Sequence, residues 1–292
     1  MKKLLVAGAT TAFTAGALLF MLAPQRNAAA RLAPYVPRKY YAHRGLYEAD
    51  QSIPENSLVA LDRACQEGYG IELDARLTKD GQVVVFHDDS LLRVCGVEGK
   101  VENFNYKKLK TMPLFGTDQH IPLLRDALDL IGGRAPIILE LKNSFPRNEE
   151  LCKKVLGILH EYEDDYPDLV RGTVPQETDS TALKGEIVRP GAYVIQSFDP
   201  RILAWFRRHA PELGRGQLAQ RGEHYEKFYG PVLGHTLLNF ISRPDFIAYK
   251  IEDKPFAVRL AEKMGAVPAS WTATEGGNEG DGHIVVFEHY RP

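Results

Sequence analysis

The chain has 292 residues, 44% of them hydrophobic and 25% charged, which is ordinary globular composition. Beyond its first stretch, that length suits one large α/β barrel of about 250 residues. Lys and Arg (36) nearly balance Asp and Glu (38), for a net charge of -2. Nothing here marks a nucleic-acid surface, so a small anionic substrate would need a local positive site.

The elements run as follows in chain order. Lys2 and Lys3 precede an uncharged run from Leu4 to Ala23. Twenty residues of helix are long enough to cross a hydrocarbon core of about 30 Å. Residues 1–23 are therefore expected to form a hydrophobic helix that acts as a single-pass membrane anchor. The alternative is a cleaved signal peptide and a secreted protein, because Ala28-Ala29-Ala30 resembles a small-residue cleavage site. Basic residues flank both ends, and those that follow the run (Arg26, Arg31, Arg38 and Lys39) are in excess. By the positive-inside rule that excess favours a cytoplasmic domain, whereas a short Lys pair before an apolar run is also a normal export signal. Residues 24–38, with three prolines, read as a linker. Residues 39–292 then form the folded domain.

In that domain short apolar runs alternate with amphipathic stretches, the pattern of βα units around a parallel sheet. Strands are expected at Lys39–Ala42, Gly70–Asp74, Ile137–Glu140, Tyr193–Gln196, Gly216–Ala219, Asp245–Tyr249, Val267–Trp271 and His283–Phe287. That makes eight, the number of a (β/α)8 TIM barrel. Val83–Phe86 follows an Asp80-Gly81 turn signal and should form a hairpin that extends the second strand. Helices are expected at Ser57–Gln66, with Asn56 as N-cap and Ser52 and Glu55 as a capping box one turn earlier. Others are expected at Leu123–Ile131, Asn148–Tyr162, Pro200–His209 and Pro255–Met264. The stretch 88–122 shows no βα unit and reads as an insertion after the second strand, and residues 164–186 carry no assignable role. Cys65, Cys95 and Cys152 have neither metal-ligand spacing nor the even count of a disulfide framework, so they read as structural thiols and favour a reducing compartment.

The chemistry concentrates between residues 41 and 88. Glu72 and Asp74 are two apart on one strand, so both carboxylates point to one face, at the C-terminal end where barrel active sites lie. Glu140 and Lys142 repeat the spacing on the next barrel strand, adding a carboxylate and a cation. Carboxylates with no cysteine nearby suit a hard divalent cation, Mg²⁺ or Ca²⁺. His43 and His87 each follow an apolar strand directly and suit general acid–base work. Arg44 offers a fork that matches phosphate oxygens. Three carboxylates, two imidazoles, an Arg and a Lys are what phosphodiester hydrolysis needs.

The ordered set His43-Arg44-Gly45, Pro54-Glu55-Asn56, Glu72-Leu73-Asp74, Thr78-Lys79-Asp80-Gly81, His87-Asp88 and Glu140-Leu141-Lys142, with Gln196-Ser197-Phe198 and Trp271-Thr272 later, resembles the glycerophosphodiester phosphodiesterase family. The resemblance spans roughly residues 38 to 287. It implies a TIM barrel with an insertion after strand two. It implies a catalytic pair at His43 and His87, metal ligands at Glu72, Asp74 and Glu140, phosphate contacts from Arg44 and Lys142, and a pocket lining at Trp271. The implied reaction is metal-dependent hydrolysis of glycerophosphodiesters to glycerol 3-phosphate and an alcohol. The rivals are a lysophospholipase D-like enzyme acting on membrane lipid, and a tethered binding module that has lost catalysis. The Gly-rich stretch Thr274–Asp281 departs from the family pattern, being too short for a helix before the last strand.

Overall fold

Eight parallel strands close into a ring in the order β1 (Tyr40–His43), β2 (Gly70–Leu77), β4 (Ile137–Leu141), β5 (Tyr193–Ser197), β6 (Arg215–Ala219), β7 (Phe246–Lys250), β8 (Val267–Ala273) and β9 (Ile284–Phe287), with β9 returning to β1. β3 (Val83–Val85) lies outside the ring, antiparallel to the end of β2. The structure is a computed structural model that describes residues 15–165, 192–225 and 230–292. It is the (β/α)8 barrel expected from the strand count, with the insertion after the second strand. The polar stretch 164–186 lies almost entirely outside the described residues.

Strand parity decides what fills the ring. Tyr41, Ile138, Val194, Leu218, Phe246, Ala248, Ala269, Ile284 and Val286 form one buried cluster, the barrel interior. The alternate residues Ile71, Leu73, Ile137, Leu139, Tyr193 and Ile195 pack outward under the helices Leu58–Gln66, Leu124–Ile131 and Pro200–His209. The strands are buried on both faces, which is why they read as continuous apolar runs. Two glycines make room inside: a Cβ at Gly70 would overlap the ring of Tyr41, and one at Gly216 the ring of Phe246.

Ser57, rather than Asn56, caps the helix Leu58–Gln66, accepting from the Ala60 N–H at 3.2 Å. The expected capping box does not form: Ser52 bonds Asp50, and Glu55 pairs with Arg44. The segment 88–122 folds as two short helices and a 3₁₀ turn around its own apolar cluster, centred on Phe86, Leu91, Val101, Leu109 and Ile121. The Thr78–Gly81 motif is the hairpin turn that starts it. Thr78 Oγ1 donates to Asp80 Oδ1 at 2.6 Å, which also accepts from Tyr106 N. The three cysteines are free thiols, and burial pushes Cys65 and Cys95 up to about 11 and Cys152 up to about 12.

The N-terminal region differs most from expectation. Residues 15–22 are helical, but Leu22 is fully buried beside Ile247, Tyr249, Val258 and Ala261, so this helix ends packed on the barrel wall. The expected linker packs as well. Its short helix Ala28–Leu32 sends Leu32 into the barrel interior, and Arg31 Nε donates to buried Asp245 at 2.8 Å. The segment closes the floor of the barrel because an interior lined by Phe246 and Val194 would otherwise open to water at its N-terminal end. Among the described residues no helix is long and apolar enough to cross a membrane.

Overpacking the interior gives a direct test of this arrangement. Gly216→Ala should lower stability by about 1–3 kcal/mol, because the Phe246 ring has no vacant space to enter. The readout is the urea midpoint at constant slope. An unchanged midpoint would show that the ring swings aside and that the interior is loosely packed.

Candidate active site

Interior parity continues past the apolar layers to the C-terminal ends of the strands, and there the inward residues turn polar. On β2 they are Glu72 and Asp74, on β4 Glu140, with Lys142 next, and on β5 Gln196. All five are buried. One carboxylate oxygen from each of Glu72, Asp74 and Glu140 lies within 4.8 Å of the others.

Three buried carboxylates so close repel one another, and the surrounding cations decide how the charge is shared. Lys142 Nζ sits 2.6 Å from Glu140 Oε1 and 2.8 Å from Asp74 Oδ1. Arg44 Nε lies 3.7 Å from Asp74 Oδ2, which also accepts from Asn56 Nδ2 at 2.8 Å. Burial works against ionising Asp74, but Lys142, His87 and Arg44 outweigh it and hold this carboxyl far below the usual range. Glu72 has the opposite fate. Burial first, then the charges of Asp74 and Glu140, push it well above the usual carboxyl range. Among the described residues its donors are Gln196 Nε2 at 3.2 Å and Arg44 N at 3.3 Å, both weak.

This donor set fits a divalent cation. Among the described residues Asp74 Oδ1 meets only the Lys142 ammonium, at 2.8 Å, and Gln196 Oε1 on the next strand is buried without a donor. Oxygen atoms left in this state suit a hard cation that takes oxygen ligands.

Tight local turns bring in the remaining groups. After β1 the chain turns at Arg44 (φ 55°) and Gly45 (φ 79°), and a Cβ at Gly45 would meet the Ala60 backbone at 2.8 Å. That turn sends the Arg44 side chain back over the carboxylates, where its Nη1 meets Glu55 Oε1 at 2.8 Å. Asn56 also holds a left-handed conformation (φ 56°), which aims its amide at Asp74 instead of at a helix end. The β2–β3 hairpin delivers His87: Phe86 N donates to Asp74 O at 3.0 Å, so the next residue emerges beside the carboxylates.

Each histidine is held by its own carboxylate. His43 Nδ1 lies 2.6 Å from Glu288 Oε2, which also accepts from Tyr47 Oη at 2.6 Å. His87 Nδ1 lies 2.7 Å from Asp88 Oδ1. Burial lowers His43 below the usual imidazole range despite the opposing pull of Glu288. Glu288 is itself held down to about 2, since the bonds from His43 and Tyr47 outweigh its burial. Arg93, from the insertion, bridges Asp88 (2.7 Å) and Glu55 (2.6 Å), tying the His87 loop to the partner of Arg44. Trp271, near the C-terminal end of β8, stands at the same mouth, its Nε1 donating to Ala248 O at 3.0 Å and its ring edge-on to Phe198 at 5.6 Å.

His43, Arg44, Glu72, Asp74, His87, Glu140, Lys142 and Trp271 thus stand at one end of the barrel, as the sequence led one to expect. Sequence reasoning missed Glu288 and Arg93, and it named Glu55, Asn56 and Asp88 only as parts of motifs, without these partners. Asp88 adjoins a histidine and Glu288 follows the last strand directly, but no spacing announces that either would grip an imidazole.

Removing a carboxylate should weaken the cation site. Glu72→Gln, Asp74→Asn and Glu140→Gln should each weaken Mg²⁺ or Ca²⁺ binding by at least about tenfold in calorimetric titration. Wild-type dissociation constants for all three would show that the cluster is not a metal site.

Residues 43–276 match the glycerophosphoryl diester phosphodiesterase family. Curated relatives include a glycerophosphodiester phosphodiesterase of Bacillus altitudinis, 37% identical over 130 residues, covering 40% of this chain and 50% of that one. A mouse lysophospholipase D is 31% identical over 147 residues, 45% of this chain and 42% of that one. The chain spans about half the length of the curated relatives it matches. Among solved structures, an Oleispira antarctica phosphodiesterase in complex with sn-glycerol-3-phosphate superposes with a TM-score of 0.62 at 21% identity, covering 89% of this chain and 94% of that one. A glycerophosphodiester phosphodiesterase from Thermotoga maritima gives 0.57 at 24% identity, covering 85% and 93%. With the family's match running through the mouth from His43 past Trp271, the chain belongs to the glycerophosphoryl diester phosphodiesterase family.

Proposed function

We propose that the protein hydrolyses glycerophosphodiesters to glycerol 3-phosphate and an alcohol. The observation that carries the reading is the pairing of one buried three-carboxylate cluster with two imidazoles that are each fixed by a separate carboxylate. Glu72, Asp74 and Glu140 would hold Mg²⁺ or Ca²⁺, and a bound cation of this kind supplies charge neutralisation at the phosphoryl oxygens. Arg44 and Lys142 bind those oxygens from the protein side, and Trp271 lines the pocket for the organic arm. His43, neutral near pH 7 because burial depresses it, takes the proton of the attacking hydroxyl. His87 returns a proton to the leaving alcohol. Glu288 and Asp88 keep each ring's Nδ1 occupied, so Nε2 is the nitrogen left for proton transfer.

A second reading has its own observation. Leu92 and Phe256, each the first residue of a helix after β3 and β7, and Phe145 after β4 are 56%, 74% and 68% exposed. An apolar rim of this kind suits a lysophospholipid chain, the substrate class that the name of the mouse relative carries. Assaying glycerophosphocholine beside lysophosphatidylcholine separates the two readings.

His43→Ala and His87→Ala should each lower kcat by roughly 10²–10⁴-fold, with little change in metal affinity. Glu288→Gln should cost roughly 10–100-fold. It should also move the acid limb of the pH–rate profile to lower pH, because the charge that favours the imidazolium is gone. Wild-type turnover in His87→Ala would refute the acid assignment. An acid limb that moves upward in Glu288→Gln would refute the Glu288–His43 pairing.

We further propose that the uncharged run Leu4–Ala23, whose last residues pack on the barrel wall, tethers residues 39–292 to a membrane as a single-pass anchor, with secretion after cleavage as the alternative. Support comes from the absence of charge over twenty residues. High-pH carbonate extraction should leave the full-length protein in the membrane pellet. Release of uncleaved protein would dispose of the anchor.

A further inference from the structure

Lys250 is the last residue of β7, and parity places it on the inward side: Phe246 and Ala248 belong to the interior cluster, while Ile247 and Tyr249 pack outward on the helix Phe256–Lys263. Its register partner on β8 is Trp271. In the ring, three strands separate β7 from β2 in either direction (β4, β5 and β6 one way; β8, β9 and β1 the other), so Lys250 stands across the mouth from Glu72 and Asp74. The other cations of this end are committed. Lys142 binds Asp74 and Glu140, Arg44 binds Glu55 and Asp74, Arg93 binds Glu55 and Asp88, and Arg76 binds the His87 carbonyl and Asp89. Lys250 is half-buried, and its side chain makes neither an ion pair nor a hydrogen bond among the described residues.

We propose that Lys250 is a second anion subsite, which selects diesters whose alcohol arm carries a phosphate or carboxylate. The proposal rests on the diesterase reading, which seats the phosphodiester at the carboxylate side. An arm that leaves that side and follows Phe198 and Trp271 runs toward the end of β7, where Lys250 stands beside Trp271 in register. A half-buried cation with no carboxylate of its own gains most from a substrate that brings one, since a charge-assisted bond there displaces no internal partner.

The test compares glycerophosphoglycerol with its phosphomonoester-bearing analogue. In the wild type, kcat/KM should favour the phosphate-bearing diester by about tenfold. Lys250→Met should bring the ratio close to one, and Lys250→Glu should reverse it. Binding is read separately by calorimetry with the Mg²⁺-loaded His43→Ala/His87→Ala protein, with and without each Lys250 substitution, so that chemistry plays no part. Equal ratios in wild type and Lys250→Met, with both diesters turned over, would overturn the subsite and leave the diesterase reading standing. Lys250-dependent binding without any wild-type turnover would overturn the diesterase reading and keep the subsite. A preference for glycerophosphoserine that also collapses in Lys250→Met would identify carboxylate as an accepted form of the anion.

Discussion

Mutual repulsion among Glu72, Asp74 and Glu140 is the constraint on which the rest of the site depends. Three carboxylates within 4.8 Å, all buried, would be intolerable as three free charges. The protein answers with two cations and one protonation bias. Lys142 and Arg44 neutralise Asp74 and Glu140, and Glu72, the oxygen donor with the weakest support, is pushed toward its neutral form. Burial alone would lower Lys142, yet the carboxylates of Asp74 and Glu140 raise it above the ordinary lysine range, so it stays charged where it is needed. A divalent cation held by these carboxylates would complete this balance, its charge favouring ionised Glu72 as Lys142 favours ionised Asp74.

The outer residues lock that balance into one geometry. Glu55 is held below the usual range: burial opposes this, but Arg93 and Arg44 prevail. Its two arginines belong to different parts of the chain, the turn after β1 and the insertion after β3. Arg93 then reaches Asp88, which grips His87, so the positions of Arg44 and His87 are coupled through three ion pairs and the His87–Asp88 contact. The insertion is therefore more than a lid on the second strand. Its apolar cluster fixes the short helix Leu92–Cys95, and that helix carries the arginine that orients a proposed acid. His43 is held independently, from the far end of the chain, by Glu288 after β9.

This division explains what could be read from the sequence. Strands buried on both faces announce themselves as apolar runs, and a two-residue spacing on a strand states which side chains share a face. The ring, Glu72, Asp74, Glu140 and Lys142 were legible for those reasons. His43 and His87 were legible because each follows such a run directly. The orienting partners were not, because they depend on tertiary distance: 245 residues separate His43 from Glu288, and 38 separate Glu55 from Arg93. Asn56 was misread for a related reason. It precedes a helix as a good capping residue does, but the left-handed turn there spends its amide on Asp74 and leaves the cap to Ser57.

The stretch 24–38 was misread because composition speaks to solvent preference and is silent on where a partner surface lies. Prolines, alanines and arginines between residues 24 and 38 look like a linker, yet this barrel needs a floor. Leu32 fills the interior from below, and a Cβ at Gly214 would collide with it at 2.7 Å. Arg31 satisfies Asp245, which also accepts from the Arg215 N–H at 3.0 Å and faces the buried Arg215 guanidinium at 3.7 Å. A buried aspartate between two arginines loses heavily if one of them leaves, since the uncompensated charge stays behind in a low-dielectric site. The floor segment is thus fixed by charge as well as by apolar contact. Residues 15–22 leave from this floor, at the N-terminal ends of the strands, where Gln25 N meets Pro244 O at 2.9 Å. A chain tethered through that helix would carry its barrel with the carboxylate mouth at the opposite end from the tether, and diffusible diesters would reach it without passing the anchor.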